Sequence, residues 1–185
     1  MEIVISVFLG LGLAASAGLR VFLPLLFANI ASLFGWINFS DGFAWLGSWP
    51  AFAVFLTASI AEIAAYYFPY LDNALDTVAV PLSFISGTLL SVSFITDMNP
   101  MLQWTLGIIA GGGTASLIKT ASGAVRLGSS SVTAGLGNWV VSSLENIGSF
   151  ILSLLSFLIP LIAGTISLLA IAYAVWRIFL LKKQS

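Results

Sequence analysis

Apolar residues run along this chain in blocks too long for the buried face of a water-soluble helix and too unbroken for alternating strands. The first block, Ile3 to Phe34, would reach about 50 Å as a single helix, more than one upright crossing of a bilayer needs. Gly10, Ala14 and Gly18 fall four apart within it, a small-residue face for close helix packing. Arg20 and Pro24 follow. Pro24 removes a backbone hydrogen bond one turn back, so the pattern predicts a kink or break near Arg20. Trp36 to Trp49 reads as a loop with Asn38, Asp41, Gly42 and Gly47, flanked by interfacial tryptophans.

A second helix is expected from about Pro50 to Tyr67, capped by Ser48 and ended by Pro69. The polar run Asp72-Asn73-Ala74-Leu75-Asp76 reads as a connection or interfacial turn, and Val80 to Ile95 as a third helix. Asp97-Met98-Asn99-Pro100 is a turn, with Asn99 as cap and Pro100 opening a fourth helix, Met101 to about Val125. One face of that helix carries Gly112, Ala115, Ser116, Lys119, Ser122, Gly123 and Arg126, so it should look at protein or water and not at lipid. Leu127 to Asn146, rich in Ser and Gly, reads as a surface or re-entrant loop. The last apolar block, Ile147 to Leu181, is interrupted by Pro160 and Gly164.

The pattern therefore predicts an all-α, polytopic membrane bundle in one domain, 1–185: about four full transmembrane helices plus broken, half-spanning or re-entrant segments. Composition agrees. Of the 185 residues, 59% are hydrophobic and 7% charged, where soluble domains carry roughly a quarter charged residues. A transmembrane barrel would alternate apolar and polar positions, and these segments do not. The N-terminus imitates a signal peptide, with Ile3 to Leu13 as apolar core and Ala15-Ser16-Ala17 as cleavage site. No Lys or Arg precedes it and hydrophobicity resumes after Arg20, so it reads as a retained first helix.

The chain has no Cys and no His, which removes disulfides, thiol nucleophiles, Ser-His-Asp hydrolysis and imidazole proton relays. Nothing calls for a cofactor or a metal, no basic block invites nucleic acid, and no catalytic spacing marks an enzyme.

What remains is charge inside apolar segments. Glu62 lies about 18 Å into the second helix, near mid-membrane on this reading, and shares a face with Ser59 and Tyr66. It reads either as a cation or proton site or as a structural partner for Arg20. Arg20 reads as an anion or headgroup contact, as that partner, or as an interfacial residue that snorkels. Lys119 and Arg126 are substrate-path candidates or cytoplasmic topology anchors. Glu145 follows Ser142 at capping-box spacing, and Asn138 belongs to a Ser/Gly segment that could hold an anion on backbone amides. Basic residues gather at Lys119/Arg126 and at the C-terminus, which puts both in the cytoplasm, with an even number of crossings between them. A faint internal echo, Ala15–Arg20 against Ala121–Arg126, each followed by Leu-Gly-x-Trp and then by Glu62 or Glu145, is compatible with chance or with paired repeats of the transporter kind.

Glu62-Ile63-Ala64-Ala65-Tyr66 with Pro69-x-Leu71-Asp72, Ala17-Gly18-Leu19-Arg20, and Arg126 followed by Gly135-Leu136-Gly137-Asn138 and Ser142-x-x-Glu145 resemble an uncharacterised bacterial integral membrane protein family, domain of unknown function 4126. The resemblance covers nearly the whole chain and implies no activity. The chain departs from the family pattern at Tyr66, where an acidic residue is common, and at Trp139, where Pro often follows Asn. The first departure weakens a two-carboxylate cation site at Glu62. Arg20-Val21-Phe22-Leu23-Pro24 also resembles the Arg-x-Phe-x-Pro stretch of DedA-type membrane proteins, which are linked to lipid movement.

Two functions follow as expectations. One is a transporter- or channel-like protein of the bacterial cytoplasmic membrane, a homo-oligomer whose polar path for an ion, solute or headgroup uses Arg20, Glu62 and the small face of the fourth helix. The other is a structural or lipid-interacting membrane protein whose charges only pair.

Overall fold

The computed structural model describes residues 2–67, 69–96, 98–133 and 137–184, with side chains for 3–67, 75, 77–96, 98–133, 137–173, 175 and 176. Every described element is helical. In chain order they are α1 (Glu2–Leu19), α2 (Phe22–Leu33), a 3-10 segment (Asp41–Gly47), α3 (Trp49–Ala65), α4 (Pro69–Phe94), α5 (Pro100–Leu106), a π segment (Gly107–Gly112), α6 (Gly113–Thr133), α7 (Asn138–Leu158) and α8 (Pro160–Gln184).

α1 is the axis of the bundle and packs against α4, α6, α7 and α8. Its residues from Leu9 to Gly18 are buried on all sides, and its small residues set how close the neighbours come. A Cβ on Gly10 would meet Ser91 Cα at 3.0 Å, and one on Gly18 would meet Ala115 O at 2.6 Å. The contact Arg20–Ser142 at one end and Ser16–Ser149 further along fix α7 antiparallel to α1.

The break expected near Arg20 is a chain reversal. α1 stops at Leu19 and α2 starts at Phe22. Phe27 on α2 then meets Phe150 on α7 at 5.0 Å, and Ser40 N donates to Ser93 O on α4, so the chain turns back beside α1. At 12 residues and about 18 Å, α2 is a half-span. The loop to α3 is tied by Asn29, whose Nδ2 donates to Leu46 O and Ser48 O.

The surface is inverted relative to a soluble protein. The buried residues of α7 are Ser142, Glu145, Ser149, Ser153 and Ser156, while Trp139, Val140, Leu144, Ile147, Phe150, Ile151, Leu154 and Leu158 point outward. Ser16 bonds to both Ser149 and Ser153 across the α1–α7 contact. Hydroxyls seam the helices together and large apolar side chains face outward, the arrangement that lipid demands and water penalises. Among the described residues, Thr77–Phe94, Pro100–Thr133 and Asn138–Leu158 are each long and apolar enough to cross a membrane. The 3-10 segment and α3, bent by 60° to each other, pass the same test only when taken together, as a broken span or a re-entrant loop. The chain is a polytopic helical membrane protein.

Several boundaries differ from the sequence pattern. Pro69 ends α3 and also opens α4, where its fixed φ suits a first turn, so the backbone of 72–76 is helix instead of a connection. The side chains of Asp72 and Asp76, like Asp97, Gly135 and Leu136, lie outside the described residues. The fourth helix runs on through Ser129-Ser130-Ser131 to Thr133, where a loop was expected. There Ser131 Oγ and Thr133 Oγ1 donate back to the Gly128 and Ser129 carbonyls, which lets hydroxyl residues sit inside a helix. The last apolar block divides at Pro160 into α7, which is long and apolar enough to cross a membrane, and α8, whose described side chains include the shorter apolar stretch Pro160–Tyr173. Ser142 and Glu145 lie inside α7 and not at its start, so they form no capping box.

Candidate functional site

The break at Arg20 collects the buried charges of the bundle. α1 ends there, and Arg20 N still closes a last backbone bond to Ser16 O. Its guanidinium extends to α7, where Nε donates to Asn146 Oδ1 and Nη2 donates to Ser142 O at 3.0 Å. Nη1 lies 3.0 Å from Glu145 Oε2, close enough for an ion pair but not aligned as a hydrogen bond. Arg20 therefore takes Glu145 as its carboxylate, not Glu62.

Glu62 has another task. Oε1 accepts from Val21 N at 2.8 Å and Oε2 from Phe22 N at 3.0 Å. These are among the amides left without helical partners where α2 begins, and a carboxylate there also meets the positive end of the helix dipole. The structural pair Arg20–Glu62 expected from sequence is thus replaced by a cap. α3 ends at Ala65, one turn beyond Glu62, and the adjoining Tyr67 is exposed. Trp139, one turn of α7 before Ser142, is exposed as well. Trp36, Trp45, Trp49 and Trp104 are exposed around the opposite end, where Phe43 on the 3-10 segment meets Trp104 on α5. Tyr67 and Trp139 thus mark the end of the bundle nearer the cluster, and the four tryptophans the other end.

α6 supplies the remaining charges. Arg126 Nη2 donates to Glu145 Oε2 and Ser122 Oγ to Oε1, so Glu145 joins α1, α6 and α7. Lys119 Nζ donates to Leu19 O at 3.4 Å, at the negative end of the α1 dipole. Tyr66 is the common floor: its ring centroid is 4.1 Å from Arg20 Cζ, 4.1 Å from Arg126 Cζ and 4.9 Å from Lys119 Nζ, each within cation–π range. Arg20, Glu62, Tyr66, Lys119, Arg126 and Glu145 are all buried.

Six of the eight residues singled out from the sequence therefore meet here. Ser59 is buried one turn before Glu62, and its hydroxyl has no partner among the described residues. Asn138 is elsewhere: its Nδ2 donates to Ser130 Oγ at 2.9 Å and ties α7 to α6. Lys119 and Arg126 are inside the bundle, as expected for a face that looks at protein and not at lipid. The side chains of Arg177, Lys182 and Lys183 lie outside the described residues. Ser122, Ser142 and Asn146 belong to the site and were not picked out as site residues. The signal for the last two was present, since Ser142, Glu145 and Asn146 share one helical face.

No curated protein and no solved structure matches the chain. The likeness of residues 20–24 to DedA-type proteins has no further support, whereas the other resemblance does: residues 7–179 match the family described as Domain of unknown function (DUF4126), and the chain belongs to that family.

Proposed function

We propose that this chain is a small transporter- or channel-like protein whose polar step is the charge cluster at the α1–α2 reversal. The observation that carries the reading is the gathering of three buried cations and two carboxylates where α1 ends and α2 begins. Buried charge in lipid is costly and is kept where it handles a substrate or an ion. A broken helix end is also where transporters expose backbone groups to their cargo. We place the protein in the bacterial cytoplasmic membrane as a homo-oligomer and outside the enzymes. The cluster and the C-terminus face the cytoplasm in this reading, supported by the basic residues Lys182 and Lys183.

The test is flux in liposomes. Wild-type protein should carry at least one of phosphate, chloride, potassium or protons well above empty vesicles, and Glu62→Gln, which weakens the hold on the start of α2, should change that rate at least tenfold. A wild-type protein with no flux for any of these probes would sink the transport reading. The second reading, a structural or lipid-interacting protein, is favoured by Glu145, whose oxygens serve Arg20, Arg126 and Ser122 together. It predicts that Glu62→Gln affects stability alone.

A further inference from the structure

The two halves of α3 are held in different ways. Its buried stripe is Ala51, Phe55, Ser59 and Glu62, continued by Tyr66 just beyond its last residue. Ala51 and Phe55 belong to the apolar core with Leu25, Leu26 and Leu46, and Phe52 and Leu56 pack against the same core. From Ser59 onward the stripe is polar. Ser59 Oγ is buried and makes no hydrogen bond among the described residues. Glu62 accepts from the two amides that open α2, and the Tyr66 ring lies against Arg20, Arg126 and Lys119. Tyr67, half-exposed, reaches α7: its hydroxyl is 3.1 Å from Ser143 Oγ and accepts from Asn146 Nδ2 at 3.4 Å. Asn146 Oδ1 in turn accepts from Arg20 Nε.

The difference matters for motion. An apolar contact broken in favour of water is lost outright, whereas a hydrogen bond is exchanged for one to water. Segments that open locally are those with few buried apolar contacts. On that criterion the half of α3 with Ala51 and Phe55 is an anchor and residues 59–67 are free to part from their neighbours. We infer that the end of α3 is a gate: residues 59–67 lift off the charge cluster as one unit, with the apolar half as pivot and the contact of Tyr67 with Ser143 and Asn146 as latch. Opening withdraws the Tyr66 ring and the Glu62 carboxylate together, and uncovers Arg20, Lys119 and the first amides of α2. Such gating is a common way to control access to a buried site. Its purpose rests on the transport reading above, but its opening is measurable without any substrate.

The test uses single cysteines in the full chain, which has none of its own. Ser142→Cys places a thiol in a fully buried position whose carbonyl accepts from Arg20, and Ser93→Cys places one, also fully buried, at the end of the bundle where Ser40 meets Ser93. Both are treated in detergent with a water-soluble methanethiosulfonate. Ser142→Cys should react at a measurable rate in the folded protein, and adding Tyr67→Phe, which removes the latch, should speed it about fivefold. Ser143→Ala, which removes one of the two bonds of the Tyr67 hydroxyl, should speed it less. Ser93→Cys should react more slowly, with or without Tyr67→Phe. No gain at Ser142→Cys on adding Tyr67→Phe, or an equal gain at Ser93→Cys, overturns the gate. If Ser142→Cys does not fold, amide exchange in the chain with Ser142 intact decides. Tyr67→Phe should then speed exchange at Val21 and Phe22 and leave Phe55 as it was, and an unchanged rate at Val21 and Phe22 or an equal change at Phe55 overturns the gate. Opening without flux for any probe keeps the gate and removes the transport reading, while flux with no effect of Tyr67→Phe on labelling does the reverse.

Discussion

Arg20 at the end of α1 and Glu145 inside α7 form a buried ion pair, Nη1 to Oε2 at 3.0 Å, and Arg126 shares the same carboxylate. Arg20 has Asn146 and the Ser142 carbonyl besides, so part of its charge is solvated by α7 itself.

Glu145→Gln should therefore be the most damaging single change at the site. It leaves two guanidinium groups buried without their carboxylate, and the cost should be about 3–5 kcal/mol. Arg20→Met leaves Glu145 with Arg126 and should cost less. The double variant Arg20→Met/Glu145→Gln should not return to wild-type stability, because Arg126 and Ser122 still lose the carboxylate oxygens they share. Denaturation in detergent checks the order, and full recovery in the double variant would contradict the shared-carboxylate arrangement.

Glu62→Gln makes a different prediction. No cation loses its partner, but a carboxamide offers one oxygen where two amides need acceptors. The expected loss is about 1–3 kcal/mol, the cost of leaving a buried donor unsatisfied. Hydrogen exchange should locate it: the Val21 and Phe22 amides should exchange faster while the middle of α1 stays protected. Uniform loss of protection would mean that Glu62 supports the whole bundle and not the start of α2.

The glycines separate packing from flexibility. Gly18→Leu must displace Ala115 O and Ile118, both 2.6 Å from an added Cβ, and Gly112→Leu must displace Thr88 and Phe84. Each should cost about 1–3 kcal/mol by overpacking. Gly113 and Gly123 have open space beyond the Cα. Alanine at either should be neutral or stabilising by up to about 1 kcal/mol, since glycine is the poorer helix former. Equal melting of all four variants would remove the close-packing account of the contacts of α1 with α6 and of α4 with the π segment.

Local signals in the sequence predicted local structure. Ser48 accepts from Ala51 N at 3.3 Å and Asn99 from Met101 N at 2.9 Å, as their positions before Pro50 and Pro100 implied. Pro160 opens α8, and the small face of the fourth helix does pack inward at Gly112 and Ala115. Partner choice was not legible. Arg20 and Glu62 are the two deepest charges of the first half and look like a pair on paper. The reversal at Arg20 aims its side chain at α7 and leaves bare amides for Glu62, and neither consequence can be read without the direction of α2. The same holds for Ser142 and Glu145, whose spacing fits a cap as well as it fits one buried face. Only the position of α7 against α1 decides between the two.

Orientation gives the last prediction, because the reversal places two exposed segments on opposite ends of the bundle. Gly42, in the 3-10 segment, lies at the end where Ser40 meets Ser93. Val132, 86% exposed, lies in the last turn of α6 beyond the charge cluster. The chain has no native cysteine, so Gly42→Cys and Val132→Cys each provide a single label. An impermeant thiol reagent should reach Gly42→Cys in intact cells and Val132→Cys only after the membrane is opened. The reverse pattern would invert the proposed cytoplasmic placement of the cluster and leave the architecture intact. Labelling of both positions from the same side would be more serious. Ser40–Ser93 and Arg20–Ser142 would then not mark opposite faces of the membrane, and the reversal at Arg20, on which the site is built, would be the element to abandon.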